Sequence, residues 1–320
     1  MNRITHRITS LAAASLLAST AHAQLSISGD LDLAVIRDNT PGAKVTKLHA
    51  LTSGSHLRIA GSEDMGGGLT AFFALKHRFN ADTGLQTNPA SFWHAEAAVG
   101  LRGGFGSLKL GRALDVIGAH DWKFDAFGNY NRVASLAWNY WNGQNGNQTG
   151  DRINNGVFYD SPTMGGVALH LAASPNETPS VPNTQGYRGI SVTYDQGPVS
   201  ALLGTGRTIS KGDGTTAGIS VEFGKARVMA GYNRNKARVG PTEKNTNVGM
   251  IYMLGATTLK ASYGESKRDS AKATLLGLGA NYAMSKRTSL ELSLGVHKNK
   301  WFATNDARHT DVGAGVYHTF

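Results

Sequence analysis

The 320-residue chain contains no cysteine and no long hydrophobic run. Without cysteine it can form no disulfide framework, thiolate metal site or catalytic thiol. No stretch reaches the roughly 18–20 apolar residues that a spanning helix needs, which excludes a helical membrane protein. Apolar residues make up 40% of the sequence and the mean hydropathy is −0.25, which is low for a membrane protein. Charged residues are only 17%, and aromatic and β-branched residues recur evenly, so disorder is unlikely.

Glycine, by contrast, is abundant, and the net charge is positive. The 40 glycines indicate many turns and strands in which small side chains are needed. The 32 basic and 22 acidic residues give a net charge of +10. The basic residues are spread along the chain rather than clustered on one basic face, so we expect no nucleic-acid partner.

The first 23 residues are typical of a secretory signal peptide. Two arginines supply a basic start, residues 8–18 are mostly apolar, and Ala-His-Ala at 21–23 matches a small-x-small cleavage site. We therefore expect a signal peptide over 1–23 and a single domain over 24–320. Loss of the two arginines lowers the net charge from +10 to +8. The alternative is an amphipathic first helix of a cytosolic domain.

Beyond the signal peptide, apolar and polar residues alternate strictly. In the first segment the apolar positions are Leu25, Ile27, Leu31, Leu33 and Val35, and the polar positions are Ser26, Ser28, Asp30 and Asp32. The same alternation continues to the terminal Phe320. A period of two residues predicts strands that have one apolar and one polar face.

About sixteen such segments follow one another along the chain. They begin near residues 25, 54, 68, 92, 105, 152, 166, 187, 198, 216, 225, 246, 256, 272, 287 and 308. Tight turns alternate with long polar connections, which lie at 37–53, 80–91, 113–151, 174–186, 206–215, 234–245, 266–271 and 298–307. An up-and-down barrel in an outer membrane has this arrangement, with short turns at one end and long loops at the other.

The alternation also indicates which solvent each face meets. A soluble barrel of sixteen strands would have a lumen too wide for side chains to fill. The reverse assignment places apolar residues toward lipid and polar residues toward a water-filled lumen. In a closed barrel each backbone group is also paired with a neighbouring strand, as lipid requires. We predict an all-β fold, a 16-stranded antiparallel transmembrane β-barrel. The structural alternative is a soluble exported β-protein.

Several motifs resemble those of the Gram-negative general porins, particularly the trimeric porins of β-proteobacteria. The strongest covers residues 55–69, Ser-His-Leu-Arg-Ile-Ala-Gly-Ser-Glu-Asp-Met-Gly-Gly-Gly-Leu, and is similar to the family's S-R-x-G-x-[RK]-G-S-E-D-L-G-G-G-L turn. Further matches follow in family order at 99–101, 105–112, 159–162, 231–232, 281–288 and the terminal Phe320.

The resemblance implies a homotrimer that lets small hydrophilic solutes cross the outer membrane by passive diffusion, without a cofactor. It also implies that the third external loop folds into the barrel and narrows the pore. Here that loop is the longest connection, 113–151, and long loops are usually functional. Its aromatic residues, Trp122, Phe124, Phe127, Tyr130, Trp138, Tyr140 and Trp141, favour a packed loop. The alternative is a solvated surface excursion.

Candidate pore residues fall into a basic wall and an acidic loop. Strand parity places His56, Arg58, Lys76, Arg78 and Lys109 in the lumen, and the resemblance adds Arg112 and Arg152. The loop offers Asp115, Asp121 and Asp125. A basic wall opposite an acidic loop would set up a transverse field across the constriction.

The sequence departs from the family pattern in ways that keep the wall positive. His56 and Ala60 stand where the family usually has basic residues, and Arg58 stands where glycine is common. Six wall cations against three loop acids predict an anion preference, with His56 adding charge at mildly acidic pH. For Lys109 and Arg78 the alternative is that each is a solvated charge at the rim with no effect on conductance. A substrate-specific channel is the alternative function, because the aromatic loop could form a binding step.

No catalytic constellation is found, so we expect no enzyme. The H-E-x-x-H, G-x-S-x-G and GK[ST] motifs are absent. Asp30 and Asp32 are neighbouring lumen positions rather than the six or more oxygens of a calcium site, and we expect no metal. Lipopolysaccharide is a candidate polyanionic partner for the loop cations Lys211, Lys236, Arg238 and Lys298.

The terminal Phe320 follows a strand that alternates up to its last residue. A terminal aromatic in this position resembles the signal that the barrel-assembly machinery reads. The alternative is an ordinary aromatic residue at the membrane interface.

Overall fold

The computed structural model describes residues 24–52, 54–141, 152–175, 186–208, 212–269, 271–299 and 307–320. The predicted signal peptide, Lys211 and the last part of the 113–151 loop lie outside these ranges. Within them, none of the helical segments has the length and hydropathy to cross a membrane.

Most of the described chain is β-strand. The strands are β1 (Gln24–Asp38), β2 (Val45–His49), β3 (Ser55–Gly66), β4 (Leu69–Phe79), β5 (Glu96–Gly103), β6 (Gly106–Leu114), β7 (Arg152–Asp160), β8 (Val167–Ser174) and β9 (Tyr187–Gln196). They continue with β10 (Val199–Thr208), β11 (Gly212–Phe223), β12 (Ala226–Ala237), β13 (Thr242–Leu254), β14 (Thr257–Arg268), β15 (Ala271–Ala283), β16 (Thr288–Asn299) and β17 (Ala307–Thr319). The described helical pieces are a 3₁₀ turn at Asp121–Phe124 and a π-helical turn at Ala137–Trp141.

These strands form one closed antiparallel barrel with sixteen positions. Apart from β2 and β3, each strand pairs with its sequence neighbours, and β1 pairs with β17 to close the sheet. The strands β2 and β3 pair with successive parts of β1, so together they occupy a single position. The predicted 16-stranded barrel is confirmed, and the predicted 37–53 loop contains the short strand β2.

The predicted strand starts fall within four residues of the observed ones. The larger differences lie in β5, which begins later than predicted, and in β11 and β13. The last two begin earlier than predicted, inside the polar connections 206–215 and 234–245. Here the hydrogen-bonded ladder continues through polar residues, which hydropathy cannot distinguish from loop.

The two faces of the barrel are chemically opposite. In β1 the apolar Leu31 and Val35 are 42% and 54% exposed. Asp30 and Asp32, on either side of Leu31, are 5% and 1% exposed. The other strands likewise expose apolar side chains outward, including Val99, Leu203, Val248 and Leu292. An apolar outer face is costly in water but favourable in lipid, as in membrane barrels.

The terminal residue belongs to the seam that closes the barrel. The backbone N–H of Phe320 donates to the Gly29 carbonyl at 3.0 Å, and the Gly29 N–H donates to the Phe320 carbonyl at 3.1 Å. The Phe320 ring covers Gly29, where a Cβ would lie 2.6 Å from ring atom Cζ. Phe320 thus extends the β1–β17 pairing beyond the last strand residue.

Candidate pore constriction

The long loop after β6 lies against the inner wall of the barrel. Near its start the Val116 carbonyl accepts a hydrogen bond from Ser191 of β9 at 2.8 Å. Farther along, the Phe124 carbonyl accepts one from Asn247 of β13 at 2.7 Å. Both wall residues are on the buried face of their strands.

The loop then crosses to the far side of the lumen. Asn131 donates from its side chain to the Ser293 hydroxyl of β16 at 2.9 Å. The backbone N–H of Arg132 donates to the Leu51 carbonyl, between β2 and β3, at 2.8 Å. The residues from 116 to 132 therefore run along the inner wall from β9 to the vicinity of β1.

Glycines in the wall make room for this loop. At each of them an added Cβ would lie within 3.4 Å of a loop atom, and the set is Gly204, Gly218, Gly249, Gly264, Gly277, Gly279, Gly295 and Gly313. At Gly277 and Gly295 the nearest loop atoms are the backbone carbonyl oxygens of Ala134 and Val133. Since backbone atoms cannot rotate away as a side chain can, these two positions require glycine for the loop to stay in place.

Two of the predicted loop carboxylates bind the loop itself. Asp115 accepts hydrogen bonds from the backbone N–H groups of Ile117 and Gly118 at 3.0 and 2.7 Å. Asp125 accepts from the Phe127 N–H at 2.6 Å and from the Ser135 hydroxyl at 3.2 Å. Such side-chain to backbone bonds fix turns.

All three loop carboxylates are buried. Asp115, Asp121 and Asp125 are 2%, 5% and 5% exposed. Burial raises the pKa of Asp121 to about 8, and the carboxylates of Asp115 and Asp125 add to this increase. Burial likewise raises the pKa of Asp125. The three groups therefore do not lie on an exposed loop surface opposite the basic wall. Because its pKa is about 8, Asp121 is mostly protonated at neutral pH.

The predicted wall residues on β3 and β4 do come together. His56 lies directly opposite Arg78, and Arg58 lies directly opposite Lys76. His56 Nδ1 lies 2.7 Å from a carboxylate oxygen of Asp30 on β1. These side chains therefore form one patch on three neighbouring barrel positions.

Glu96 on β5 is a wall acid that the sequence analysis missed. Its carboxylate lies 4.0 Å from Arg58 Nε and 3.7 Å from Lys109 Nζ of β6. Lys109 also lies over the Phe158 ring, 5.1 Å from its centre. The strand parity that predicted the cations could have found Glu96, but the register across three strands is needed to see that it joins them.

Arg112 and Arg152 both hold a loop, and Arg152 is also close enough to Lys76 and Arg78 to act on them electrostatically. Nε of Arg112 donates to the His94 carbonyl at 2.7 Å, and the same side chain bonds the side-chain oxygen of Asn154. Nε of Arg152 donates to the neighbouring Ala95 carbonyl at 3.0 Å. Both arginines thus fix the chain just before β5.

Two further cations lie along the loop, and the sequence analysis named neither. Lys260 of β14 lies over the ring of Phe127, 5.8 Å from its centre. Arg132 of the loop stacks on Trp138, with its guanidinium carbon 4.3 Å from the ring centre. Their partners are distant in sequence or lie within an irregular loop, so no local pattern marks them.

The arrangement divides the lumen in two. The loop covers the wall from β9 round to β17. The basic patch, taken as Arg58, Lys76, Arg78 and Lys109, lies on β3, β4 and β6. The uncovered lumen is therefore bordered by the basic patch on one side and by the loop on the other. A closed barrel with an apolar outside, a polar inside and a loop against its inner wall defines the class of membrane channels.

The chain belongs to the Gram-negative porin family, whose model matches residues 9–301. Outer membrane porin protein 32 of Delftia acidovorans is 31% identical, over 93% of this chain and 90% of that protein. An outer membrane porin protein of Bordetella pertussis is 24% identical, over 85% of this chain and 84% of that protein.

Solved structures show the same fold. An anion-selective porin from Comamonas acidovorans superimposes with a TM-score of 0.77 at 24% identity, covering 93% of this chain and 100% of the other. A loop-deletion mutant of OmpT from Vibrio cholerae gives a TM-score of 0.69 at 13% identity, covering 93% and 99%. The protein is therefore an outer-membrane porin, a channel of a family of channels rather than of enzymes.

Proposed function

We propose that this porin passes small hydrophilic solutes by passive diffusion and prefers anions. The observation that carries the proposal is the basic patch beside the uncovered lumen. Arg58, Lys76 and Lys109 are basic side chains there, and the acids among them are Glu96 and Asp30. Rings of charge at a narrow passage select ions of the opposite sign.

The buried loop carboxylates support the same sign of selectivity. A carboxylate opposite the patch would offset it, but Asp115 and Asp125 are bound to the loop's own hydrogen-bond donors. Asp121 is mostly protonated at neutral pH because its pKa is about 8. We therefore propose Arg58, Lys76, Arg78 and Lys109 as the selectivity residues, with Arg112 and Arg152 as supports of the wall. The anion-selective porin from Comamonas acidovorans shares the fold.

Reversal-potential measurement in a planar bilayer under a potassium chloride gradient tests the proposal. We expect an anion-selective potential that falls in the double variant Arg58→Gln, Lys76→Gln. The matched control is Lys244→Gln, since Lys244 lies on the outward face beside exposed Thr246 and Val248. A cation-selective wild-type channel would refute the anion preference and leave the porin assignment intact.

The alternative of a substrate-specific channel has less support. It relied on aromatic loop side chains lining a path for solute, but Phe124, Phe127 and Tyr140 are buried, and among the loop aromatics Trp122 is exposed. We expect conductance to rise without saturation as solute concentration increases. Saturation by one class of solute would favour the specific channel instead.

We also propose that the protein assembles as a homotrimer and contacts lipopolysaccharide. Support for the lipid partner comes from a basic belt on the outward face, at the end of the barrel that carries the long loops. Its members are Arg37, Arg188, Arg207, Arg234, Lys236, Lys244, Lys267, Lys272, Lys298 and Arg308. Several lie directly opposite one another, including Arg188 with Arg207 and Lys244 with Lys267. Like charges in such pairs repel unless an anion lies beside them, and Asp213 beside Arg207 and Glu265 beside Lys267 and Lys272 supply part of that negative charge.

Copurification of lipopolysaccharide tests the lipid contact. We expect the variant Lys244→Glu, Lys267→Glu to retain less lipopolysaccharide than the wild type because both replacements reverse charge in the basic belt. Lys225→Glu, in a turn at the opposite end of the barrel, is the matched control. Equal retention by both variants would contradict the proposed contact. Chemical cross-linking in membranes tests the trimer separately.

A further inference from the structure

Two histidines and an aspartate converge on the inner face of β16 and β17. His297 lies directly opposite His309, and their rings are parallel, with centres 4.5 Å apart. Nε2 of His297 lies 3.6 Å from Oδ2 of Asp311, and Nε2 of His309 lies 3.7 Å from the same oxygen. The other carboxylate oxygen of Asp311 accepts the Asn39 backbone N–H at 2.7 Å, which fixes the orientation of the group.

The buried histidine has an unsatisfied nitrogen that points at this carboxylate. His297 is 2% exposed, and its Nε2 has no hydrogen-bond partner. The separation of 3.6 Å from Asp311 is too long for a hydrogen bond. Its other nitrogen, Nδ1, is occupied by the hydroxyl of Tyr140 at 2.9 Å. A buried polar atom without a partner is unfavourable, so this arrangement calls for a cation between the nitrogen and the carboxylate.

We propose that His297, His309 and Asp311 form a binding site for a divalent transition-metal ion such as Zn²⁺. Two imidazole nitrogens and one carboxylate oxygen are the donors that zinc prefers, and water completes a tetrahedral shell. Zinc bonds of about 2.0–2.2 Å at tetrahedral angles separate ligand atoms by about 3.3–3.5 Å. The observed 3.6 and 3.7 Å come within a few tenths of an ångström of this spacing.

The neighbouring groups suit such a site. Metal-bound histidines usually have their second nitrogen held by a hydrogen bond, and Tyr140 does this for His297. Because the two rings are parallel, one must turn to aim its lone pair at the metal. His309 can do so, since its Nδ1 has no hydrogen-bond partner to break.

A second histidine cluster differs from the proposed site in its hydrogen bonding. His170 lies beside His120 and Asp160, but its Nδ1 bonds Asp160 at 2.7 Å and its Nε2 bonds Thr193 at 3.0 Å. Both of its nitrogens are therefore already satisfied. His170 accordingly serves as the control for histidine content in the test of the proposed site.

The proposed site would join the pore loop to the wall. Tyr140 belongs to the π-helical turn of the loop, and His297 and His309 lie at the ends of β16 and β17 on the side of the long loops. A bound ion would therefore fasten this end of the loop through Tyr140. This inference concerns a site separate from the basic patch and stands independently of ion selectivity.

Zinc titration of the folded, chelator-treated porin tests the site. Calorimetry should show one saturable site per chain, and cobalt in its place should give the visible absorption of a tetrahedral ion. His309→Ala should weaken zinc binding at least about 10-fold, and Tyr140→Phe should weaken it about 10–100-fold. His170→Ala should bind zinc like the wild type.

Heat-modifiable gel mobility checks that each variant is folded. If His309→Ala fails to fold, Asp311→Asn replaces it, with the same expected loss of binding. The inference is overturned if the wild type binds no zinc saturably, or if folded His309→Ala or Asp311→Asn binds it with unchanged affinity. Loss of binding in His170→Ala alone would also overturn it, because the ion would then lie in the other cluster.

Discussion

At the scale of single residues, Asp121 ties the stability of the loop to pH. Its pKa is about 8 in the folded protein, against about 3.9 for an unperturbed aspartate. Between these values the folded state binds a proton that the unfolded state has released. Stability therefore falls as pH rises from about 4 to about 8 and then levels off.

Asp121→Asn removes this titration while keeping the shape of the side chain. We expect the variant to gain stability relative to the wild type, and the gain should be larger at pH 9 than at pH 5. Thermal unfolding of the purified porin at the two pH values measures it. Glu63→Gln, at an exposed position of β3, is the control and should show no such difference. An equal effect of Asp121→Asn at both pH values would contradict the buried, protonated carboxyl.

The terminal residue also acts locally, through the seam with Gly29. Deletion of Phe320 removes both backbone hydrogen bonds of the pair and the ring that covers Gly29. We expect less assembled, heat-modifiable porin at unchanged total synthesis, whether the residue acts in closure or as a signal for the assembly machinery. Phe320→Tyr keeps the aromatic ring and should assemble normally. Unchanged assembly of the deletion variant would refute this role.

At the scale of the element, the position of the loop depends on the wall glycines on which it rests. In Gly277→Ala the new methyl group would collide with the Ala134 carbonyl of the loop. We expect a destabilisation of about 1–3 kcal/mol, typical of overpacking, and an altered single-channel conductance because the loop must move. Gly104→Ala, where an added Cβ meets nothing within 4 Å, is the control. Wild-type conductance and melting temperature in Gly277→Ala would show that the loop does not rest on this wall.

At the scale of the whole molecule, the proposed anion preference depends on screening. The Debye length shrinks from about 10 Å at 0.1 M salt to about 3 Å at 1 M. The field of Arg58, Lys76 and Lys109 therefore reaches across the passage at low salt and only near the wall at high salt. We expect the reversal potential for a tenfold gradient to be more anion-selective at low salt than at high salt. An unchanged value would indicate selection by width or direct binding instead of charge.

The strands and their faces could be predicted from the sequence because both follow from local backbone geometry. Side chains alternate across a strand, so Leu31 and Val35 indicate the lipid face, and Asp30 and Asp32 the lumen, without knowledge of any neighbour. The division of the second barrel position into β2 and β3 was missed, since β2 is short and its pairing with β1 depends on the register between two segments that the sequence does not display.

The wall of the site was predictable only in part. Parity indicated Arg58, Lys76 and Lys109, but the position of Glu96 among them depends on cross-strand register, which the sequence does not display. The burial of Asp121 depends on the path of an irregular loop with no repeating period. Counting charges therefore predicted that the pore wall is net positive, but it did not predict the ion-pair partners of the wall side chains.

The sequence by itself determined that the chain is a barrel of alternating strands with an apolar outside and a polar inside. Tertiary structure alone decided which charges stay free for the lumen and which are buried or paired. The reason is that alternation is a property of consecutive residues, whereas Asp121, Glu96 and the His297 cluster depend on contacts between segments far apart in the chain.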